Sequence, residues 1–110
     1  MTYTRAEAFA TEEQELARFA KVLSHPARIA IVRLLAEKQS CISGDIASEL
    51  PLSRTTVSQH LQELKSIGLI KGEIDGLTVC YCLDHDLLLK IKAAFDDFFA
   101  EAGRNQNNCC

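Results

Sequence analysis

The chain lacks the strongly basic balance of a protein that holds nucleic acid by bulk attraction: over 110 residues it carries 12 Lys and Arg against 15 Asp and Glu, a formal charge of −3. Contact with phosphate would have to come from a local strip. Nowhere do about 18 uninterrupted apolar residues occur, so a helical membrane span is not expected. The N-terminus, Met1-Thr2-Tyr3-Thr4-Arg5-Ala6-Glu7, has no apolar run of signal-peptide length, and the expected location is the cytoplasm, without membrane contact. Repeats and low-complexity tracts are missing. So are a Gly-rich phosphate loop, a metal-hydrolase motif, and any cysteine beside a histidine and an acid in a nucleophile pattern, and an enzyme is therefore not expected.

What is there suffices for one domain and not two, with 47% hydrophobic residues in 110. Residues 1–102 read as that domain and 103–110 as a polar, flexible tail. The five cysteines are an odd number in an unexported chain, which argues against a disulfide framework and for metal, metalloid or redox use. They stand at Cys41, Cys80, Cys82, Cys109 and Cys110.

Thr11-Glu12-Glu13-Gln14 reads as a capping box with Thr11 as the cap, starting a helix with Leu16, Phe19, Ala20 and Leu23 on its apolar stripe. Ser24-His25-Pro26 ends it and sets proline at the first position of a second helix, which runs to about Glu37. Ile29, Ala30, Val32, Leu34 and Leu35 lie nearly all round this helix, so it should be the most buried. His25 reads as a cap. Cys41-Ile42 is a candidate short strand, and Ser43 a cap for a short helix through Glu49. Pro51 stops that helix. Ser53 then caps another, with a staple from Leu52 to Val57.

This next helix keeps Val57, Leu61 and Leu64 on one stripe and leaves Arg54, Thr55, Ser58, Gln59, Gln62 and Lys65 opposite. Gly68 closes it. Two extended runs follow, Leu69–Ile74 and Leu77–Leu83, joined at Asp75-Gly76, a strong hairpin signal. A last helix from about Asp84 to Ala102 carries Leu87, Leu88, Ile91, Ala94, Phe95 and Phe98 at helical spacing. Residues 51–71 hold Arg54, Lys65 and Lys71 against Glu63 alone, a local balance of 3 − 1 = +2.

The expected fold is thus mainly α with a small β-hairpin: helix, helix, short strand, helix, turn, helix, hairpin, helix, the order of a winged helix-turn-helix. Over roughly residues 14–100 the sequence resembles the ArsR/SmtB repressors. The resemblance is carried by Leu23-Ser24-His25-Pro26-Ala27-Arg28, Gly44-Asp45-Ile46-Ala47, Thr56-Val57-Ser58-Gln59-His60-Leu61, and Gly68-Leu69-Ile70 leading to Val79-Cys80-Tyr81-Cys82-Leu83. It implies a homodimer joined through the first and last helices, bound to operator DNA and released when a metal, metalloid or oxidant reaches its cysteines or histidines. Phe9, Phe19, Phe95, Phe98 and Phe99 agree with this, being more aromatic surface than a short helix can hide in a monomer. Two reading helices about 34 Å apart would match an inverted repeat in double-stranded DNA.

The candidate DNA-contact set is Ser53, Arg54, Thr55, Thr56, Ser58, Gln59, His60, Gln62, Lys65 and Lys71. Short hydroxyls reach base edges or phosphate, the glutamines suit adenine, Arg54 suits guanine or phosphate, and the lysines suit the backbone. On an isolated helix the same face would be an ordinary solvated one; the flanking turn and wing favour DNA. His60 lies beside the core stripe, as a packing or phosphate-contacting residue.

No permanent cofactor is expected. Zinc sensors of the resembled family place an Asp-x-His pair at the start of the last helix and a second histidine pair along it; here Asp84-His85-Asp86 is followed by Asp96-Asp97-Phe98, without the second histidine. Arsenic sensors of the founding pattern carry Cys-x-Cys where this chain has Cys41-Ile42-Ser43-Gly44-Asp45. Cys80 and Cys82, at i and i+2 on a strand, share a face about 6.6 Å apart, with Val79, Tyr81 and Leu83 toward the core. In a winged helix the short strand lies beside the hairpin, which would bring Cys41 near them. Cys41, Cys80 and Cys82 are therefore the candidate site for trivalent arsenic or antimony, with Cys109 and Cys110 as further thiols and other thiophilic ions as substitutes. As half-buried strand residues these cysteines could equally be small hydrophobes. Two other functions stay open: a thiol redox switch on the same fold, and a winged-helix module that binds protein and not DNA.

Overall fold

The computed structural model describes residues 5–38, 42–43, 46–75 and 78–104. After a single 3₁₀ turn, Ala6–Ala8, the order is α1 (Thr11–Val22), α2 (Pro26–Lys38), β1 (Ile42–Ser43), a 3₁₀ turn (Ile46–Glu49), α3 (Arg54–Ser66), β2 (Ile70–Asp75), β3 (Thr78–Leu83) and α4 (His85–Ala102). The strands form an antiparallel sheet in the order β1-β3-β2. This is the winged helix-turn-helix expected from the sequence.

The helix ends follow local chemistry, with three corrections. Thr11 is the first helical residue of α1 and Ala10 the cap, whose N–H donates to Glu13 Oε1 at 3.2 Å. Alanine has no side-chain oxygen, so only the returning half of a capping box forms. Ser43 does not cap the short helix: it is paired in β1 opposite Cys80, and the helical turn begins at Ile46. The caps read at His25 and Ser53 stand: His25 Nδ1 accepts from the N–H of Ala27 at 3.0 Å and Ser53 Oγ from that of Thr56 at 3.2 Å. Asp84, read from the sequence as the first residue of the last helix, is instead its cap, with Oδ1 accepting from the N–H of Leu87 at 3.0 Å.

Gly68 has φ +82°, the left-handed conformation that side chains with a Cβ resist. That turn lets Gly68 N–H donate to Lys65 O at 2.9 Å and Leu69 N–H to Leu64 O at 3.1 Å, the paired bonds of a Schellman ending. The chain passes from it directly into β2. Across the hairpin Ile70 pairs with Leu83 and Asp75 with Thr78, so Asp75 is a strand residue; the rest of the expected turn, Gly76, lies outside the described residues. Gly72 sits opposite Tyr81, where an added Cβ would come within 2.8 Å of the ring.

One core joins all layers: Phe19 and Val22 of α1, Ile31 and Leu35 of α2, Ile46, the Val57, Leu61 and Leu64 stripe of α3, Leu69, Ile70 and Leu83 of the sheet region, and Ile91 of α4. The helix expected to be buried all round is not. Ala27, Ile31 and Leu35 of α2, four apart, face the core, while Ile29 is exposed. Phe19 is fully buried and so leaves the aromatic surface expected for a partner; Phe9, Phe98 and Phe99 remain on it, 60%, 47% and 64% exposed.

Leu64 has no solvent exposure, and Leu64→Ala should cost about 2–5 kcal/mol in urea unfolding. Ser53→Ala, which removes the α3 cap, should cost about 0.5–2 kcal/mol in the same measurement.

Candidate nucleic-acid interface

The buried stripe of α3 fixes which of its residues face outward. Arg54, Thr55, Ser58, Gln59, Gln62 and Lys65 are all exposed, as the helical spacing required. The first turn carries no acid and begins with Arg54, whereas α1 opens on Glu12 and Glu13 and α4 on Asp86. A helix N-terminus presents unpaired N–H groups and the positive end of its dipole, so a first turn free of carboxylates suits an incoming phosphate.

Three members of the candidate set serve the fold. Ser53 caps α3 and also donates through its hydroxyl to Thr56 Oγ1 at 3.0 Å, which engages both residues in the cap. Thr56 is only half exposed. His60 is 8% exposed and packs between α2 and α3, its Nδ1 accepting from Arg28 Nε at 3.1 Å. Burial and that bond give His60 the packing role and remove it from the outward face.

Lys71, on β2, is 63% exposed and its ammonium lies 3.3 Å from Asp84. The carboxyl of Asp84 is held below the usual carboxylate range, chiefly by the N–H of Leu87 and then by Lys71. An exposed pair of this kind rearranges at little cost, so Lys71 can still turn toward phosphate. Lys65 ends α3 with its Nζ 3.5 Å from the position a Cβ on Gly72 would take, which sets the last turn of the helix against the wing.

Of the thiols, Cys82 is half-buried on β3. Cys41, Cys109 and Cys110 lie outside the described residues, and the backbone of Cys80 pairs opposite Ser43 on one side and Glu73 on the other. Among the described residues no group of three or more His, Cys, Asp or Glu stands ready to hold a metal ion. His85 is exposed at the first position of α4.

Sequence reasoning missed the part played by Arg28. Its guanidinium reaches His60 and, through Nη1, the carbonyls of Lys21 and Val22, both at 3.3 Å. The signal was present in Ser24-His25-Pro26-Ala27-Arg28 and Ser58-Gln59-His60-Leu61, but spacing alone does not pair segments 32 positions apart.

A helix-turn-helix domain family matches residues 23–73, from the end of α1 into β2. The transcriptional repressor SmtB of Mycobacterium tuberculosis is 43% identical over 68 residues, 61% of this chain and 50% of its own, so the chain spans half the length of that relative. A crystal structure of a possible transcriptional regulator for arsenical resistance is similar at 33% identity and TM-score 0.62, over 72% of this chain and 81% of that one. An ArsR-like transcriptional regulator from Rhodococcus is similar at 26% identity and TM-score 0.68, over 86% and 89%. The likeness extends over most of the chain, and this chain belongs to the ArsR/SmtB family of winged helix-turn-helix transcriptional regulators, a family of DNA-binding proteins and not of enzymes.

Proposed function

We propose that the protein is a repressor that binds an inverted-repeat operator as a homodimer and releases it when trivalent arsenic or antimony binds Cys41, Cys80 and Cys82. The observation that carries the DNA half is the outward face of α3: polar, free of acid in its first turn, and flanked by a wing that bears Lys71. Arg54, Thr55, Ser58, Gln59 and Gln62 read the groove, while Lys65 and Lys71 hold phosphate.

A groove of about 880 Å³ between α1 and α4 supports the dimer. Its walls include Leu16, Ala17, Ala20, Phe95 and Phe98. Phe99 adjoins it, its ring 5.3 Å from that of Phe98. Apolar surface of this kind is costly to leave in water and is covered when two copies pair across a two-fold axis.

Strand register supports the thiol half. Cys80 and Cys82, two apart on β3, share a face by the period of the strand. Ile42 is paired with Tyr81, and Cys41 precedes the one as Cys82 follows the other. Thiolates from neighbouring strands suit a soft, trigonal ion, and a relative in fold is described as a regulator for arsenical resistance. A 100-fold loss of operator affinity requires about 2.7 kcal/mol of coupling between the two sites.

Arsenite added to the reduced protein on fluorescent DNA from its own promoter should release the wild type and leave Cys80→Ser/Cys82→Ser bound. Release of both would strip the strand thiols of the sensing role. Release of neither, with restoration by an oxidant, would favour a redox switch. Arg54→Ala and Gln59→Ala should each weaken DNA binding by about 1–3 kcal/mol; no effect from either would favour a protein-binding module. Phe98→Glu should shift the sedimentation of the protein from dimer to monomer.

A further inference from the structure

Beneath the reading face of α3 lies a cluster that the DNA contacts do not use. His60 Nδ1 accepts from Arg28 Nε at 3.1 Å, and Arg28 Nη1 donates to the last carbonyls of α1, those of Lys21 and Val22. The ring of His25 is 4.4 Å from that of His60, centre to centre, while its own Nδ1 accepts from Ala27 N–H at the start of α2. One guanidinium thereby ties the end of α1, the first turn of α2 and the middle of α3. Because a guanidinium only donates, the bond requires His60 Nδ1 to be unprotonated.

We propose that Arg28 and His60 are positioning residues for DNA reading: neutral His60 fixes α3 at its reading angle, and a proton taken up from solvent at Nδ1 frees α3 and lowers DNA affinity. Protonation sets N–H against N–H and adds a cation beside Arg28. Among the described residues, the charged or titratable groups acting on His60 are His25, from the connection before α2, and Arg28, from α2; α1 meets the cluster through carbonyl oxygens. Burial first, then these two neighbours, disfavours the charged ring and holds its pKa below the ordinary 6.5. Stability linked to His60 is therefore complete above that ordinary value and is lost as pH falls toward the lower folded one.

The inference rests on the DNA-binding reading, so its test has one arm without DNA. His60→Gln keeps an acceptor for Arg28 and cannot titrate. In the free protein, protection of the α3 amides against hydrogen exchange, taken relative to the intrinsic rate at each pH, should fall between about pH 7.5 and 5.5 in the wild type, through the range where histidine titrates, and not in His60→Gln. On promoter DNA each protein is compared with itself across the range: the wild type should lose about 5-fold or more in affinity from the higher pH to the lower, and His60→Gln should not. Arg28→Gln, which removes a charge that opposes protonation, should move the loss to higher pH and gives a second reading if His60→Gln does not fold. Protection of α3 that does not change with pH in the wild type, or an equal loss in His60→Gln, would overturn the proposal. Absence of DNA binding at the higher pH, with the exchange difference intact, would count against the operator reading alone.

Discussion

The left-handed turn at Gly68 is the constraint on which the arrangement of this protein depends. It lets Leu69 close α3 by donating to Leu64, while the carbonyl of Leu69 accepts from Asp84 at 2.8 Å, the residue that caps α4. The Leu69 side chain is itself fully buried. Reading helix, wing and last helix are therefore joined at one residue. An L-residue at position 68 would have to hold φ near +82°, at a cost of about 1 kcal/mol or more, and would loosen all three together.

The acidic balance of the chain and its membership of a DNA-binding family are reconciled by where the charges sit. Glu12, Glu13 and Glu15 lie on α1, and Asp97 and Glu101 on α4, lining the groove between those helices. α3 has Glu63 as its acid, in its third turn, with Arg54 and Lys65 at its ends. Screening at physiological salt reduces charges to neighbours within about 8 Å, so the field a phosphate meets is that of the strip it touches and not of the whole molecule.

Element order, helix lengths and the caps at His25 and Ser53 were legible in the sequence because they rest on local rules: proline at the start of α2, serine ahead of α3, glycine after it, alternation along β3. Where reading failed, a local signal met a competing one. Thr11 looked like the cap because a capping box tolerates either register, and Ala10 won with Glu13 alone reaching back. Ser43 looked like a cap until strand pairing claimed it. Phe19 looked like interface because its burial depends on how α1 lies against the rest of the core, which no spacing within α1 reveals. Of the reading face, the solvent-exposed residues were legible from periodicity; the His60–Arg28 bond was not, being a contact between distant segments.

β3 is the element through which the two halves of the proposed function would communicate. It lies between β1 and β2, so its cysteine positions and the Tyr81–Gly72 contact share one strand. Its last residue, Leu83, pairs with Ile70 and is followed at once by Asp84, bound to Leu69 and Lys71. A ligand drawing thiolates together on β3 would pull on the strand that anchors the wing to the end of α3 and to the start of α4. Since α4 borders the proposed dimer groove, a displacement there would alter the spacing of two reading helices in such a dimer as well as the tilt of one. An inducer that strained both would have two routes to the few kcal/mol that the proposed release requires, and neither would need it to touch DNA.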